Sequence, residues 1–166
     1  AKLTGAELTA ISTRMLALMD PEFGGMKGNQ KFPGEALLAF LTEMEIRGLA
    51  PAAEAVDLQL TRMVKSGLYD QVNGGFFRYA TDRRWLVPPF EKMLYNQALL
   101  LQFYSAAYDY SGEPLYRWLV ADLQQFILRW FYEDDLGFYS AIDAESDGGE
   151  GRFYLWSASQ LEKLDI

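Results

Sequence analysis

Apolar residues recur every three or four positions in five blocks of this chain, with polar residues between them. This spacing places the apolar side chains on one face of a helix, so it predicts α-helices throughout. The blocks begin near Leu8, Leu37, Val56, Phe90 and Pro114. Ser157 and Gln160 then form a capping-box pattern for a sixth helix. Because the sequence stops about two turns into that helix, we expect it to be a piece of a longer domain.

A glycine-aromatic phrase that begins with aspartate follows the first, third and fifth blocks. Its three copies cover residues 20–26, 70–76 and 134–139. Successive glycines lie 50 residues apart, from Gly25 to Gly75, and then 62 residues apart, to Gly137. Such a repeat of helix, turn, helix and short return is typical of stacked αα-hairpins, in an open solenoid or a closed toroid. In a toroid, the elaborated turns would gather at one mouth.

A short β-hairpin is predicted near the end of the chain. Residues 138–142 and 152–156 alternate in polarity on either side of a turn rich in Gly, Asp and Glu. Alternation of this kind, interrupted by turn residues, indicates two short paired strands. We expect this hairpin to lie in the mouth.

The acidic run at residues 143–150 could bind a metal or supply an acid and a base. As a calcium loop it fails, because the twelfth position is Tyr154 and not the required glutamate. We therefore predict no metal site. Asp143 and Glu145 lie next to the predicted strand and are candidate acid or base groups. The two acids expected at a solvent-exposed hairpin tip are Asp147 and Glu150.

Composition narrows the class of protein. Half of the 166 residues are hydrophobic, enough for one domain with a substantial core. A net charge of -8 argues against nucleic-acid binding, which requires clustered Lys and Arg. No apolar run reaches the roughly 18 residues of a membrane span, so we expect a soluble, cytoplasmic domain with no membrane partner. The chain has no Cys and no His, which leaves acid and base chemistry to carboxylates, Tyr, Lys or Arg.

Large rings and charged groups alternate most densely in residues 74–97, between two helical blocks. A solvent loop would contain more Ser and Asn and fewer large rings. Flat rings beside charged donors and acceptors suit a sugar-like, polyhydroxylated ligand. Within this segment Glu91 is a third candidate acid or base. The candidate ligand-binding residues are Arg78, Tyr79, Trp85, Lys92, Tyr95 and Asn96.

Each of these residues also has a structural interpretation, which the sequence leaves open. Glu91 would complement the dipole at the start of a helix that begins at Phe90, with Lys92 in solvent. Arg78 would form an ion pair that holds the loop together.

The aromatic residues are open to the same two interpretations. Trp85 and Tyr79 would either stack on a sugar or close the core. Trp118 and Trp130 stand at helical spacing in apolar blocks. We predict that these two tryptophans belong to the core.

Three motifs resemble signatures of the spermatogenesis-associated, thioredoxin domain-containing protein family. They are residues 74–79 with 85–95, residues 138–146 with 151–157, and Lys31-Phe32-Pro33. The resemblance implies a partial (α/α)6 toroid over residues 1–166, with about three hairpins, similar to six-hairpin glycosidases and N-acylglucosamine 2-epimerases. The family's thioredoxin-like domain and the closing hairpins would lie outside this chain. Such an open half-toroid would expose apolar helix faces, so we expect self-association.

The resemblance implies a carbohydrate-type cleft that needs no cofactor and isomerises or hydrolyses a sugar. Pro89 and Asn96 depart from the family pattern, in which His and Asp are common at these positions. Two proton carriers are then missing from the cleft. The alternatives are a non-catalytic module that binds a ligand or protein in a redox-regulatory role, and a purely structural scaffold.

Overall fold

The computed structural model describes residues 2–146 and 148–164. Its long helices are α1 (Gly5–Leu18), α2 (Glu35–Ile46), α3 (Ala53–Val64), α4 (Leu94–Ser111) and α5 (Pro114–Trp130). A four-residue helix, α6 (Ala158–Leu161), and a 3-10 turn at Glu162–Leu164 follow. The prediction of an all-α fold built from paired helices is confirmed. No helix in these described ranges is long and apolar enough to cross a membrane.

Local sequence signals set several helix ends. Thr4 and Glu7 form a capping box at the start of α1, in which each side chain binds the other residue's backbone N–H. The Glu113 side chain caps α5, and Pro114 occupies its first position, where the missing N–H costs nothing. Gly112 ends α4 in the left-handed conformation that glycine adopts readily.

The described chain also contains short antiparallel strand pairs. The strands are β1 (Lys92–Met93), β2 (Tyr132–Glu133), β3 (Gly137–Phe138), β4 (Ala141–Ile142), β5 (Glu145–Ser146) and β6 (Gly149–Glu150). β1 pairs with β4, β2 with β3, and β5 with β6. The predicted hairpin between residues 138–142 and 152–156 is therefore wrong. β4 pairs instead with a distant strand, and residues 151–154 form a turn.

The helix predicted to begin at Phe90 begins four residues later, at Leu94. Phe90 has a φ of 67°, which lies outside the right-handed helical region. The backbone N–H of Arg78 donates to the carbonyl of Glu91 at 2.9 Å, which holds this segment extended. Glu91 and Lys92 consequently precede the helix and do not lie in its first turn.

The first two glycine turns pack against the first helix of the following hairpin. A Cβ atom on Gly24 would lie 2.5 Å from Gln59 Cα in α3, and one on Gly75 would lie 2.2 Å from a ring carbon of Phe126 in α5. Because this contact is repeated, successive hairpins stack in the same direction and their turns lie at one end. We call this end, with the turns at residues 20–26, 70–76 and 134–139, the mouth.

The main core lies between α3, α4, α5 and the second glycine turn. The largest of its fully buried side chains are Trp85, Tyr69, Tyr104, Tyr116, Phe76 and Phe131. The prediction that Trp118 belongs to the core is wrong, because it is half exposed. The apolar spacing misled here because α5 carries apolar residues on its exposed face as well. The Trp118 ring meets that of Tyr69 edge-on, with the centroids 5.9 Å apart.

Candidate functional site

A buried lysine closes each of the first two glycine turns. Lys31 Nζ lies 3.1 Å from Asp20 Oδ2, and Lys92 Nζ lies 2.8 Å from Asp70 Oδ2. Each ammonium also donates to a glycine carbonyl of its own turn, at 2.9 and 2.7 Å. Because a buried ammonium requires a carboxylate partner, these ion pairs hold the turns in place. Sequence analysis missed the pairs, although the aspartate that opens each copy was a visible signal.

The predicted ligand-binding role of Lys92 is wrong, because its side chain is buried on the core side of β1. Its ammonium lies 4.7 Å from the ring centroids of Phe77 and Phe126 and 5.0 Å from that of Tyr154. Burial lowers the pKa of Lys92 to about 8, and this effect outweighs the attraction of Asp70, which raises it. Lys92 therefore anchors β1, and with it the position of the neighbouring Glu91.

Trp85 is likewise a core residue, and its predicted stacking on a ligand is wrong. Its side chain is 0% exposed, and its indole N–H donates to the carbonyl of Phe23 at 2.7 Å. The Cβ that Gly25 lacks would lie 2.7 Å from the indole ring. The tryptophan thus fastens the loop after the second turn to the first turn. Of the two interpretations that the sequence left open, the structural one is correct here.

Three predicted site residues do come together at the surface of the mouth. Arg78 Nη1 lies 2.9 Å from Glu91 Oε1, and the two side chains are 42% and 29% exposed. Tyr95, in the first turn of α4, is half exposed beside them. Hydrogen bonds to Glu91 and to Tyr95 raise the pKa of Arg78 above its usual value. The cluster is polar, accessible and fixed at its base by β1.

The β1–β4 pair brings the chain around a second carboxylate to the same side of the fold. Lys92 pairs with Ile142, so Glu91 and Asp143 directly flank these paired residues at the same end of the ladder. Asp143 is exposed, and its Oδ1 accepts the backbone N–H of Glu145 at 2.9 Å. Glu91 and Asp143 therefore flank the same end of the β1–β4 pair, a relation that the sequence alone does not reveal.

Glu145 lies two residues beyond Asp143 in the chain. It is exposed in β5, opposite Glu150 of β6, so both of these acids face solvent. Glu150 is thus exposed as predicted, although it lies in a strand of a different hairpin. Asp147, the other acid expected at that tip, lies outside the described residues.

A pair of stacked rings borders the mouth. The rings of Phe32 and Tyr79 lie 4.7 Å apart at 15°, because an antiparallel bridge joins Lys31 to Ala80 and sets the two rings opposite each other. Phe32 is 51% exposed and Tyr79 is half-buried. Phe32 was missed as a site residue, although it lies within one of the family motifs. The ligand-binding role of Tyr79 stays a prediction.

The first turns of α2 and α4 meet through a hydrogen bond in which Asn96 Nδ2 donates to Glu35 Oε1. Asn96 is buried, so its predicted direct contact with a ligand is wrong. Its Oδ1 accepts no hydrogen bond within the part of the chain that the structure describes. Glu35 is half-buried at the first position of α2, and sequence analysis missed it. Only the packing of the two helices reveals that this carboxylate faces Asn96.

Sequence relatives cover most of this chain. It is 37% identical over 156 residues to human spermatogenesis-associated protein 20, in an alignment that covers 87% of the chain and 20% of the relative. The mouse protein of that name is 36% identical over the same span. A Caenorhabditis elegans protein is 30% identical over 159 residues, with 87% and 22% covered. The chain therefore spans about a fifth of the length of the curated relatives it matches. No protein-family model matches it.

Solved structures share the fold at low sequence identity. A sugar epimerase from a ruminal bacterium superposes with a TM-score of 0.72 at 17% identity, covering 88% of this chain and 44% of that one. Cellobiose 2-epimerase from Spirochaeta thermophila gives 0.65 at 20% identity, with 81% and 40% covered. A D-mannose isomerase gives 0.59 at 16% identity, with 68% and 29% covered. At these identities the likeness establishes the fold, and it confirms the predicted helical toroid.

Proposed function

Since this chain belongs to the spermatogenesis-associated protein 20 family, we propose that its mouth binds a carbohydrate-like ligand and supplies an acid-base pair for isomerising or hydrolysing it. The observation that carries the proposal is the accessible Arg78–Glu91 ion pair, held beside Tyr95 at the start of α4. The epimerase and isomerase activities named for the structural neighbours fit the same class of ligand.

The cluster has unused hydrogen-bonding capacity. Arg78 carries five N–H donors and gives one side-chain bond to Glu91, whose Oε2 has no hydrogen-bond partner among the described residues. Donors and acceptors that alternate in this way match the vicinal hydroxyls of a sugar. The stacked rings of Phe32 and Tyr79 offer a flat apolar face for the C–H side of the same ligand.

The two carboxylates then have distinct roles. Glu91, whose charge is balanced by Arg78, would take the proton next to the carbonyl of an open-chain sugar. Asp143, at the same end of the β1–β4 pair, would return a proton to the neighbouring carbon while the hydroxyl proton moves to the former carbonyl oxygen. Hydrolysis would use the same two carboxyl groups as acid and base. Glu145, two residues beyond Asp143, would contact the ligand's periphery.

The alternative is a module that binds a ligand or protein without turnover, in a redox-regulatory role within the longer protein. One observation favours it: Arg78 already holds one oxygen of Glu91, and an ion pair of this kind resists proton transfer. This alternative requires saturable binding with no product.

The test uses the full-length protein with a panel of aldoses, ketoses and disaccharides in heavy water. Nuclear magnetic resonance would follow deuterium incorporation next to the carbonyl together with product formation. Glu91→Gln should lower turnover by about 10²- to 10⁴-fold, the usual contribution of a general base, without loss of fold. Glu43→Gln is the matched control, because Glu43 forms an exposed ion pair with Arg47 on α2.

The outcomes separate the functions. Turnover that depends on Glu91 but not on Glu43 supports the enzyme. Binding that Arg78→Met abolishes, with no exchange or product for any sugar, supports the binding module. Equal turnover in Glu91→Gln and the parent protein refutes the role of Glu91, and failure to bind any sugar refutes the carbohydrate site.

A further inference from the structure

A cavity of about 320 Å³ lies at the end of the helices opposite the mouth. Glu35 and Asn96 mark the mouth ends of α2 and α4, whereas the cavity is lined by Ile46 and Tyr110, near the other ends of the same helices. The first turns of α3 complete its wall. This cavity is therefore separate from the proposed carbohydrate site.

The interior of the cavity is apolar. Leu38 and Leu60 are fully buried in its floor, and Phe103 and Ala107 form a wall from α4. Tyr110 stands largely exposed at the edge. The volume lies at the lower end of the roughly 300–1,000 Å³ that is typical of small-molecule sites. A ligand for this space needs a compact apolar body, because moving apolar surface out of water and against this lining is favourable.

The charged groups that line the cavity all carry the same sign. They are Glu45, Glu54 and Asp57, and no Lys or Arg of the described residues lines the cavity. Glu45 is committed to the backbone N–H of Ala53, and Asp57 accepts the hydroxyl of Tyr116. Glu54 forms no ion pair within the described ranges and lies one turn from Asp57 on α3. Residues three apart share a helix face, so these two carboxylates form one acidic edge.

We propose that this cavity binds a small organic cation, with an apolar or aromatic body in the cavity and one amine group at the Glu54–Asp57 edge. Each part of the ligand complements a part of the lining. The apolar floor would contact the body, and the carboxylates, which no Lys or Arg of the lining opposes, would attract the amine. The same face of a second copy is a poor occupant, because it would bring a second set of these carboxylates against the first.

Three probes with one body and different heads test the proposal: 4-phenylbutylamine, 4-phenylbutanol and 4-phenylbutanoate. Calorimetric titration of the full-length protein should give the amine about fivefold higher affinity than the alcohol, as expected for a partly exposed ion pair, and the carboxylate the lowest affinity. Chemical shift changes should map to α2, α3 and α4 at this end.

Three variants test where each part of the probe binds. Glu54→Gln with Asp57→Asn should erase the preference for the amine while leaving alcohol binding unchanged, since the asparagine oxygen still accepts from Tyr116. Glu43→Gln, on α2 but outside the cavity, should leave the preference intact. Ala107→Phe should abolish binding of all three probes by filling the space.

Several results would overturn the proposal. They are equal affinity for the three heads, an amine preference that survives the double variant, shift changes confined to the mouth, and binding of a basic peptide where the amine does not bind. The last result would identify the cavity as a protein-docking surface.

Discussion

The glycine turns stack the hairpins only if their glycines lack side chains, and Gly75→Ala tests this directly. Gly75 has a φ of 79°, and an added Cβ would lie 2.2 to 2.5 Å from three ring carbons of Phe126. Phe126 is buried in the core and also faces the Lys92 ammonium, so its ring has nowhere to move. The substitution should therefore disturb both the backbone and the packing.

The two costs can be estimated separately. The left-handed conformation costs a non-glycine residue about 1–2 kcal/mol. Overpacking a well-filled core costs a further ~1–3 kcal/mol, so we expect Gly75→Ala to lower the free energy of unfolding by about 2–5 kcal/mol. For a domain of this size, each kcal/mol shifts the Tm by about 2–4 °C.

Gly112→Ala is the matched control. Gly112 has a φ of 68°, but nothing lies within 4 Å of the added Cβ, so only the conformational cost applies. Urea unfolding followed by circular dichroism would measure both variants. Phe126→Leu, which removes the clashing ring, should recover part of the stability of Gly75→Ala in a double-mutant cycle. If Gly75→Ala and Gly112→Ala destabilise equally, the turn does not pack against α5 as described.

Three further predictions concern the buried charges and tyrosines. Lys92→Met should lower the free energy of unfolding by about 3–5 kcal/mol, because it leaves Asp70 buried without its partner. Lys27→Met, at an exposed lysine, should lower it by under ~1 kcal/mol in the same urea unfolding experiment. Adding Asp70→Asn to Lys92→Met should restore part of the lost stability. Burial lowers the pKa of Lys92 to about 8 in the folded state, so the unfolded state binds more protons above that pH. The free energy of unfolding should therefore rise between pH 8 and about 10. A flat profile over this range would contradict the prediction. Burial raises the pKa of Tyr154 to about 12, so the free energy of unfolding should fall as the pH rises above about 10. Urea unfolding at pH 9 and pH 11 should show a smaller fall for Tyr154→Phe than for the parent protein.

Much of the fold follows from the sequence by itself, because its signals are local. Helical periodicity, the capping pairs and the glycine phrases each depend on residues a few positions apart, and they predicted the five long helices. The motif at residues 74–97 likewise pointed to the family and the toroid. Within it, Arg78, Glu91 and Tyr95 do meet at the surface of the mouth.

Tertiary structure alone decided which of these residues are exposed at the mouth. A tryptophan or lysine in a motif has the same local pattern whether it points to solvent or to the core, so the burial of Trp85 and Lys92 could not be predicted. The β1–β4 pair joins segments 50 residues apart, and it alone brings Glu91 and Asp143 to the same end of one ladder. The contacts of Glu35 with Asn96 and of Phe32 with Tyr79 arise in the same way. Contacts between distant segments depend on how the hairpins stack, and no short-range period in the sequence records that stacking.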